Sequence, residues 1–317
     1  MILFRSVLSF VFLIAILAIN NSCSVETAKA PIKKQLIILS DYLNQTDVGI
    51  FKPFAKQEYV DLKIIHMESD KIIGLMRNQG SNVQADLILI NSLYDVQTMY
   101  KRDILQTIHF EKELDTKIKK ISSTKNKFIG LGIDPFIIAN SKVSKIRTYN
   151  ELRNHPFVND LDKKQLIPML APIAQKLKRV KANNWIRSFY KSTVAKDTLL
   201  DTLGNLLPIL TTYTKYTTSK DSLYQFEQRF LTYPNARTSG VFFNIRTMAI
   251  VKQAQNYSVA KSFILFYSEE NNNIQLNKKL NVLSTFQEGL PFRKYNETPS
   301  NLVQYYQTVD RVIKKID

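Results

Sequence analysis

The chain holds a single cysteine, Cys23, so no disulfide can form within its 317 residues. Glycine is scarce, with eight in all and no Gly-rich run that could wrap a phosphate. The three histidines, His66, His109 and His155, stand too far apart for an H-x-x-x-H or H-E-x-x-H metal motif. No G-x-S-x-G elbow is present. Once Cys23 is assigned to processing, no cysteine is left for nucleophilic work. The adjacent glutamates Glu269-Glu270 fall at a helix end and read as a solvated terminus. These absences argue against an enzyme. Acidic residues are also short: 27 against 44 Lys+Arg give a net charge of +17, which favours anionic partners. The cations are scattered and not interleaved with aromatics in an RNP-like pattern, so nucleic acid is not among the expected partners.

What is present begins with an apolar run, Val7–Ile19, preceded by Arg5. It is short for a membrane span and reads as a signal peptide over residues 1–22. Ser22 before Cys23 suits a lipoprotein cleavage site, which makes Cys23 the lipidation residue, although Asn20 departs from the usual leucine of that box. Two alternatives stay open: cleavage at Ala28-Lys29-Ala30, or an uncleaved anchor. All three put the folded domain outside the cytoplasm. Residues 23–34, which include Pro31, then read as a lipidated tether.

Beyond it, apolar runs and helical patterns alternate. Gln35–Leu39, Val60–His66 and Ala85–Ile90 read as strands, and Phe51–Gln57, Asp70–Asn78 and Leu93–Lys101 as helices. That spacing argues for βαβ units and a wound α/β sheet. Further strands are expected at Gln165–Leu170, as an edge because of Pro168, and at Thr211–Thr218. Helices are expected at Ala182–Tyr190, Thr198–Leu207, from Ser258, and over Pro299–Ile316 with Leu302, Tyr305 and Val309 on its apolar stripe. His66 reads as a satisfied buried histidine, and Trp185 as core.

The segment Tyr233–Glu270 has its own order. A Pro/Asn/Gly turn precedes β-rich residues around Val241–Asn244. A second apolar run follows at Met248–Val251, then a helix ending in Ser268-Glu269-Glu270. Tyr233-Pro234-Asn235, Asn244-Ile245 and Lys261-Ser262-Phe263 make it resemble the matching passage of type 2 periplasmic solute-binding proteins, in their ferric-iron-binding branch. Ala85-Asp86-Leu87-Ile88, Lys127–Asn140 and Ile146–Leu152 resemble further patches of the same family, so the likeness covers about residues 35–290.

The resemblance implies a two-lobed α/β fold, each lobe a mixed, mostly parallel sheet flanked by helices, joined by two crossing strands. Lobe 1 would comprise 35–136 plus about 241–292, and lobe 2 would comprise 137–240 plus about 293–317. It also implies a monomeric, membrane-anchored receptor facing the periplasm, which closes on Fe(III) or a ferric chelate and delivers it to an ABC permease and its ATPase. Hard oxygen donors suit such an ion. By the same resemblance Tyr213 takes the place of one of the family's two adjacent tyrosines, with Tyr216 offset by three. Tyr42 stands where the family has histidine, and Asn91 where it has glutamate. Asp134 stands where it has an anion-clamping arginine. Thr211, Thr212 and Thr214 would supply hydroxyls if the cargo were instead an organic or anionic solute. A scaffold that binds a protein partner is a third reading.

Overall fold

A computed structural model of the chain describes residues 33–79, 83–141, 143–219, 229–290 and 299–316. The signal-peptide segment, Cys23 and the tether up to residue 32 lie outside the described residues, as do residues 220–228 within the expected second lobe and the expected lobe boundary near 292–293.

Short apolar runs make the first sheet. Strands β1 (Lys34–Ser40), β2 (Val60–His66) and β3 (Leu87–Ile90) lie in the order β2-β1-β3, and β1 pairs parallel with β3. Side chains alternate across a strand, and each strand feeds two cores. Leu87 and Leu89 enter one, with Leu36 and Ile38 from β1. Ile88 and Ile90 enter the other, with Leu39. Helices therefore cover both faces, which is why the strands read as continuous apolar runs. On one face lie α1 (Lys52–Gln57), preceded by a 3-10 segment at Gln45–Phe51, α4 (Thr116–Lys120), α8 (Tyr257–Ser268) and α9 (Glu270–Lys279). On the other lie α2 (Ser69–Gln79), α3 (Leu93–Lys101), α6 (Lys163–Lys191) and α10 (Pro299–Ile313).

Two long strands carry the chain between regions. The thirteen residues of β4 (Ile129–Ser141) are all buried. The first half of β4 pairs antiparallel with β9 (Phe243–Ile250), which also pairs with β3. The second half pairs with β7 (Ile209–Thr212) and β8 (Arg229–Thr232). Beyond β7, β5 (Phe157–Asn159) and β6 (Thr193–Val194) return to parallel pairing. A register shift between Gly130 and Gly132 marks close contacts. A Cβ on Gly130 would lie 2.5 Å from the Ile121 carbonyl oxygen, which the backbone cannot yield cheaply. Gly130→Ala is expected to cost about 3 kcal/mol by overpacking, measured as a fall in urea midpoint with unchanged slope.

Several expectations are corrected. Gln165–Leu170 is helix, not an edge strand. Asp162 caps α6 in a capping box with Gln165, and the residues around Pro168 and Pro172 are buried nearly all round. That burial outweighs the two backbone bonds the prolines forgo. Thr198–Leu207 is no helix: the Asp201 carboxylate accepts from the N–H groups of Leu203 and Asn205, both at 2.8 Å, and Gly204 turns at φ +76. The strand expected over Thr211–Thr218 ends at Thr212, whose hydroxyl caps α7 (Tyr213–Thr218) by accepting from the Lys215 N–H. Val241–Asn244 and Met248–Val251 are not separate runs but overlap the two ends of one strand, β9. His66 is exposed, its Nδ1 3.2 Å from the Leu43 carbonyl. On α10 Tyr306, rather than Tyr305, is fully buried. Trp185 is core, as expected, with Nε1 donating to Asn150.

Candidate functional site

Where β4 and β9 run side by side, a strip of buried polar side chains interrupts the apolar core. It begins at the end of β1. Ser40 Oγ accepts from the N–H groups of Tyr42 and Leu43, turning the chain so that Asp41 faces the loop after β3. There Asp41 Oδ1 accepts from the Asn91 N–H at 2.9 Å. Asn91 is gripped from β9. Its side-chain oxygen accepts from Arg246 Nε at 3.1 Å, and its carbonyl accepts from the Asn244 amide. Asn244 also accepts from the Leu93 N–H, fixing the start of α3. Arg246 is 5% exposed; it donates to the Leu280 carbonyl at 2.9 Å and lies 4.7 Å from the centre of the Tyr42 ring.

Asp134 sits opposite Asn244 in the β4–β9 register and is 1% exposed. Its Oδ1 accepts from the Thr214 N–H at 2.9 Å, and the Thr212 hydroxyl bonds to the same carboxylate. Thr214 Oγ1 donates onward to the Asn281 carbonyl. Asp134 thus links β4 to the start of α7, which carries Tyr213.

Burial sets the electrostatics. It lifts the Asp134 carboxyl above the usual range, while Arg246 and the two threonines oppose the rise. Asp41 is pushed up to about 7, mostly by burial, with the Asn91 N–H and Arg246 pulling the other way. The Tyr42 phenol rises well above its ordinary value, and its buried oxygen has no hydrogen-bond partner among the described residues. Tyr233 is pushed up to about 12, by burial first and then by the neighbouring Tyr213. Tyr213 lines a cavity of about 390 Å³ shared with Lys278, Asn281 and Ser284.

The Asp41 shift has a sign that can be worked out. Its folded value lies above the unfolded one, so no stability is lost below about pH 4, and stability is withdrawn as pH rises toward 7. The full withdrawal is about 4 kcal/mol by linkage. Asp41→Asn keeps an acceptor for the Asn91 N–H and removes the charge. Its melting temperature is expected to match the parent near pH 4 and exceed it by several degrees at pH 8, as read by thermal melts across that range.

No protein-family model and no curated protein matches the sequence. Solved structures do match in shape. One is the Trichodesmium protein IdiA/FutA, solved in complex with iron and citrate ligands. It aligns with TM-score 0.75 at 15% identity, over 89% of this chain and 99% of that one. The ferric binding protein from Campylobacter jejuni aligns with TM-score 0.74 at 15% identity, over 89% and 99%. Iron-bound HitA from Pseudomonas aeruginosa aligns with TM-score 0.67 at 14% identity, over 88% and 98%. The chain has the two-lobed fold of the ferric-binding proteins. At these identities the likeness speaks for the fold.

Within this ferric-binding-protein fold, Tyr42, Asn91, Asp134, Thr212 and Thr214 meet in one network, as their sequence positions allowed. Tyr213 leaves the same turn and stands beside Tyr233. Thr211 and Tyr216 go elsewhere. Thr211 Oγ1 donates to Asp160 at 3.2 Å, on the side where Lys196 and Lys215 also hold Asp160. Tyr216 packs on the small cluster of Ala139, Val158, Leu207 and Ile209. No cluster of three or more His, Cys, Asp or Glu suited to a metal occurs among the described residues. Sequence reasoning missed Arg246, Asp41 and Tyr233. The one available signal was Asn244-x-Arg246, two polar residues at period two in an otherwise apolar strand.

Proposed function

We propose that the chain is an extracytoplasmic solute-binding component of an ABC importer and that its cargo is ferric iron or a ferric chelate. Its two lobes, 35–136 with about 241–292 and 137–240 with about 293–317, close by hinge motion on a ligand between them. A processed Cys23 carries the lipid that holds it to the envelope, and a permease and ATPase receive the cargo. It acts as a receptor and carries out no catalysis.

One observation supports the ligand class best: a buried arginine among oxygen donors at the junction of β4 and β9. The family's clamping arginine is missing from β4, where Asp134 stands. Arg246 supplies a cation from the adjacent strand, close enough to lower the Asp134, Asp41 and Tyr42 pKa values. A bare trivalent cation would be repelled by that guanidinium, whereas an anionic chelate would be attracted. Phenolates at Tyr213, with Tyr233 or Tyr42, suit the iron of such a chelate because phenolate is a hard donor. The ion's charge offsets the cost of ionising the Tyr233 and Tyr42 phenols, which burial holds neutral. Titration with ferric citrate is expected to raise a visible phenolate-to-iron absorption band. If no band forms at saturating ferric citrate, the iron reading fails.

Arg246 and the Thr212 and Thr214 hydroxyls equally favour a second reading, in which the same cleft takes an organic anion without metal. Mass spectrometry of small molecules released from protein purified under native conditions separates the two. An organic acid without iron supports the second, and iron supports the first.

A further inference from the structure

Between Lys163 and Lys196 the chain carries nine Lys or Arg and no Asp or Glu. Most of that stretch is α6. In its second half Ala182, Trp185, Ile186 and Phe189 are buried at the i, i+3, i+4, i+7 spacing of an inward face. Arg187 and Lys191, four residues apart, fall together on the opposite face, Lys181 flanks it, and all three are exposed. They span about 15 Å along the axis. Just before them the helix breaks at Lys178, which takes φ 58 and ψ 164, a backbone conformation costly for a residue with a side chain. Lys176 and Lys178 are exposed at that break, and Val180 beside them is 72% exposed.

Two other cations of the stretch, Lys164 and Lys196, have ion-pair partners. Lys164 Nζ lies 3.0 Å from Asp70 and 3.3 Å from Asp95, and Lys196 Nζ lies 2.6 Å from Asp160. Lys176, Lys178, Lys181, Arg187 and Lys191 have no ion-pair partner among the described residues. A merely solvated helix face mixes both signs and gains from i,i+4 pairs. This one keeps a single sign and sets an apolar side chain among the cations.

We propose that this outer face of α6 docks on an anionic membrane surface, with the five cations among phospholipid headgroups and Val180 as the apolar contact. The surface is a one-sign stripe along a helix, which suits a plane of many equivalent anions. A bilayer is also the partner within reach. Residues 24–34, fully extended, span at most about 40 Å from the lipid site. The inference rests on the proposed tether only for that proximity. Each Lys or Arg near an anionic surface strengthens association about fivefold.

The full chain is mixed with vesicles of phosphatidylcholine, or of phosphatidylcholine with about 30% phosphatidylglycerol, at roughly 50 mM salt, where screening is weak. Amine acetylation is read by mass spectrometry and vesicle association by flotation. Anionic vesicles are expected to cut acetylation of Lys176, Lys178, Lys181 and Lys191 by about fivefold or more. The exposed Lys52, Lys101 and Lys279 should keep their reactivity. Protection should vanish at roughly 500 mM salt. The variant K181E/R187E/K191E should lose protection without a change in melting temperature. Equal protection in both vesicle types, or none in anionic ones, overturns the docking face. Protection by an added acidic protein or nucleic acid in place of vesicles overturns it too. Flotation with neutral vesicles tests the tether separately. A chain that floats there yet shows no protection on anionic vesicles loses the docking face alone. One that is protected on anionic vesicles without floating on neutral ones loses the tether alone.

Discussion

Replacing Arg246 by methionine is expected to destabilise the protein by about 4 kcal/mol, the usual cost of removing one partner from a buried ionic network. The methionine fills much of the space of the arginine stem, so the loss is not mainly one of packing. Asn91 Oδ1 and the Leu280 carbonyl lose their donors. Asp41 and Asp134 lose the one cation that lowers the pKa of both. Each carboxyl then holds its proton to higher pH than in the parent. The sign follows from linkage: the folded pKa values rise further above the unfolded ones, so the variant falls further behind the parent as pH rises from about 5 to 9. Thermal melts in steps across that interval test this. A loss independent of pH would mean that Arg246 acts as a packing residue and not as a counter-ion. Arg246→Lys is expected to recover only part of the stability, since an ammonium cannot reproduce the fork that reaches Asn91 and Leu280 at once.

Arg246 also shows where sequence reading ends. The strands and helices of the first half were legible because each is a local pattern. Leu87–Ile90 is an unbroken apolar run between turn residues, and Leu93–Lys101 follows Ser92, whose hydroxyl accepts from the Asp95 N–H. The junction was not legible as a unit. Asp41, Asn91, Asp134 and Arg246 come from four separate stretches, and no local pattern says that they meet around a cation on β9. Where one interaction decides between two local conformations, the reading also failed. Thr211–Thr218 is rich in β-branched and aromatic residues and would continue as strand. Instead a single threonine cap and the bond from Thr214 to Asp134 turn it into a helix. The segment around Pro168 reads locally as a strand, with the proline confining it to an edge, and only burial on both sides, which no local pattern shows, makes it helix. On α10 Tyr305 packs against the core as its place on the stripe implies, and Tyr306, one residue step or about 100° away, is buried as well.

Tyr213→Phe is expected to abolish the iron absorption band and to weaken ferric citrate binding by about a hundredfold or more, equivalent to nearly 3 kcal/mol. The expectation depends on what the hydroxyl does in the free protein. The Tyr213 ring packs against the larger core, yet its phenolic oxygen has no hydrogen-bond partner among the described residues. Removing that oxygen therefore breaks nothing in the ligand-free fold, and the melting temperature without ligand should stay within the error of measurement. A role in structure and a role in binding thus separate in one variant. Tyr42→Phe offers the contrast. The Tyr42 oxygen is buried without a partner, so its loss should raise ligand-free stability by about 1–2 kcal/mol, the cost of burying an unsatisfied polar atom. If Tyr42 turns toward iron when the lobes close, the same change lowers affinity while raising stability. Retention of the band in Tyr213→Phe together with its loss in Tyr42→Phe or Tyr233→Phe would move the principal donor off α7. Retention in all three would mean that these phenols substitute for one another or that a tyrosine outside the three binds the metal.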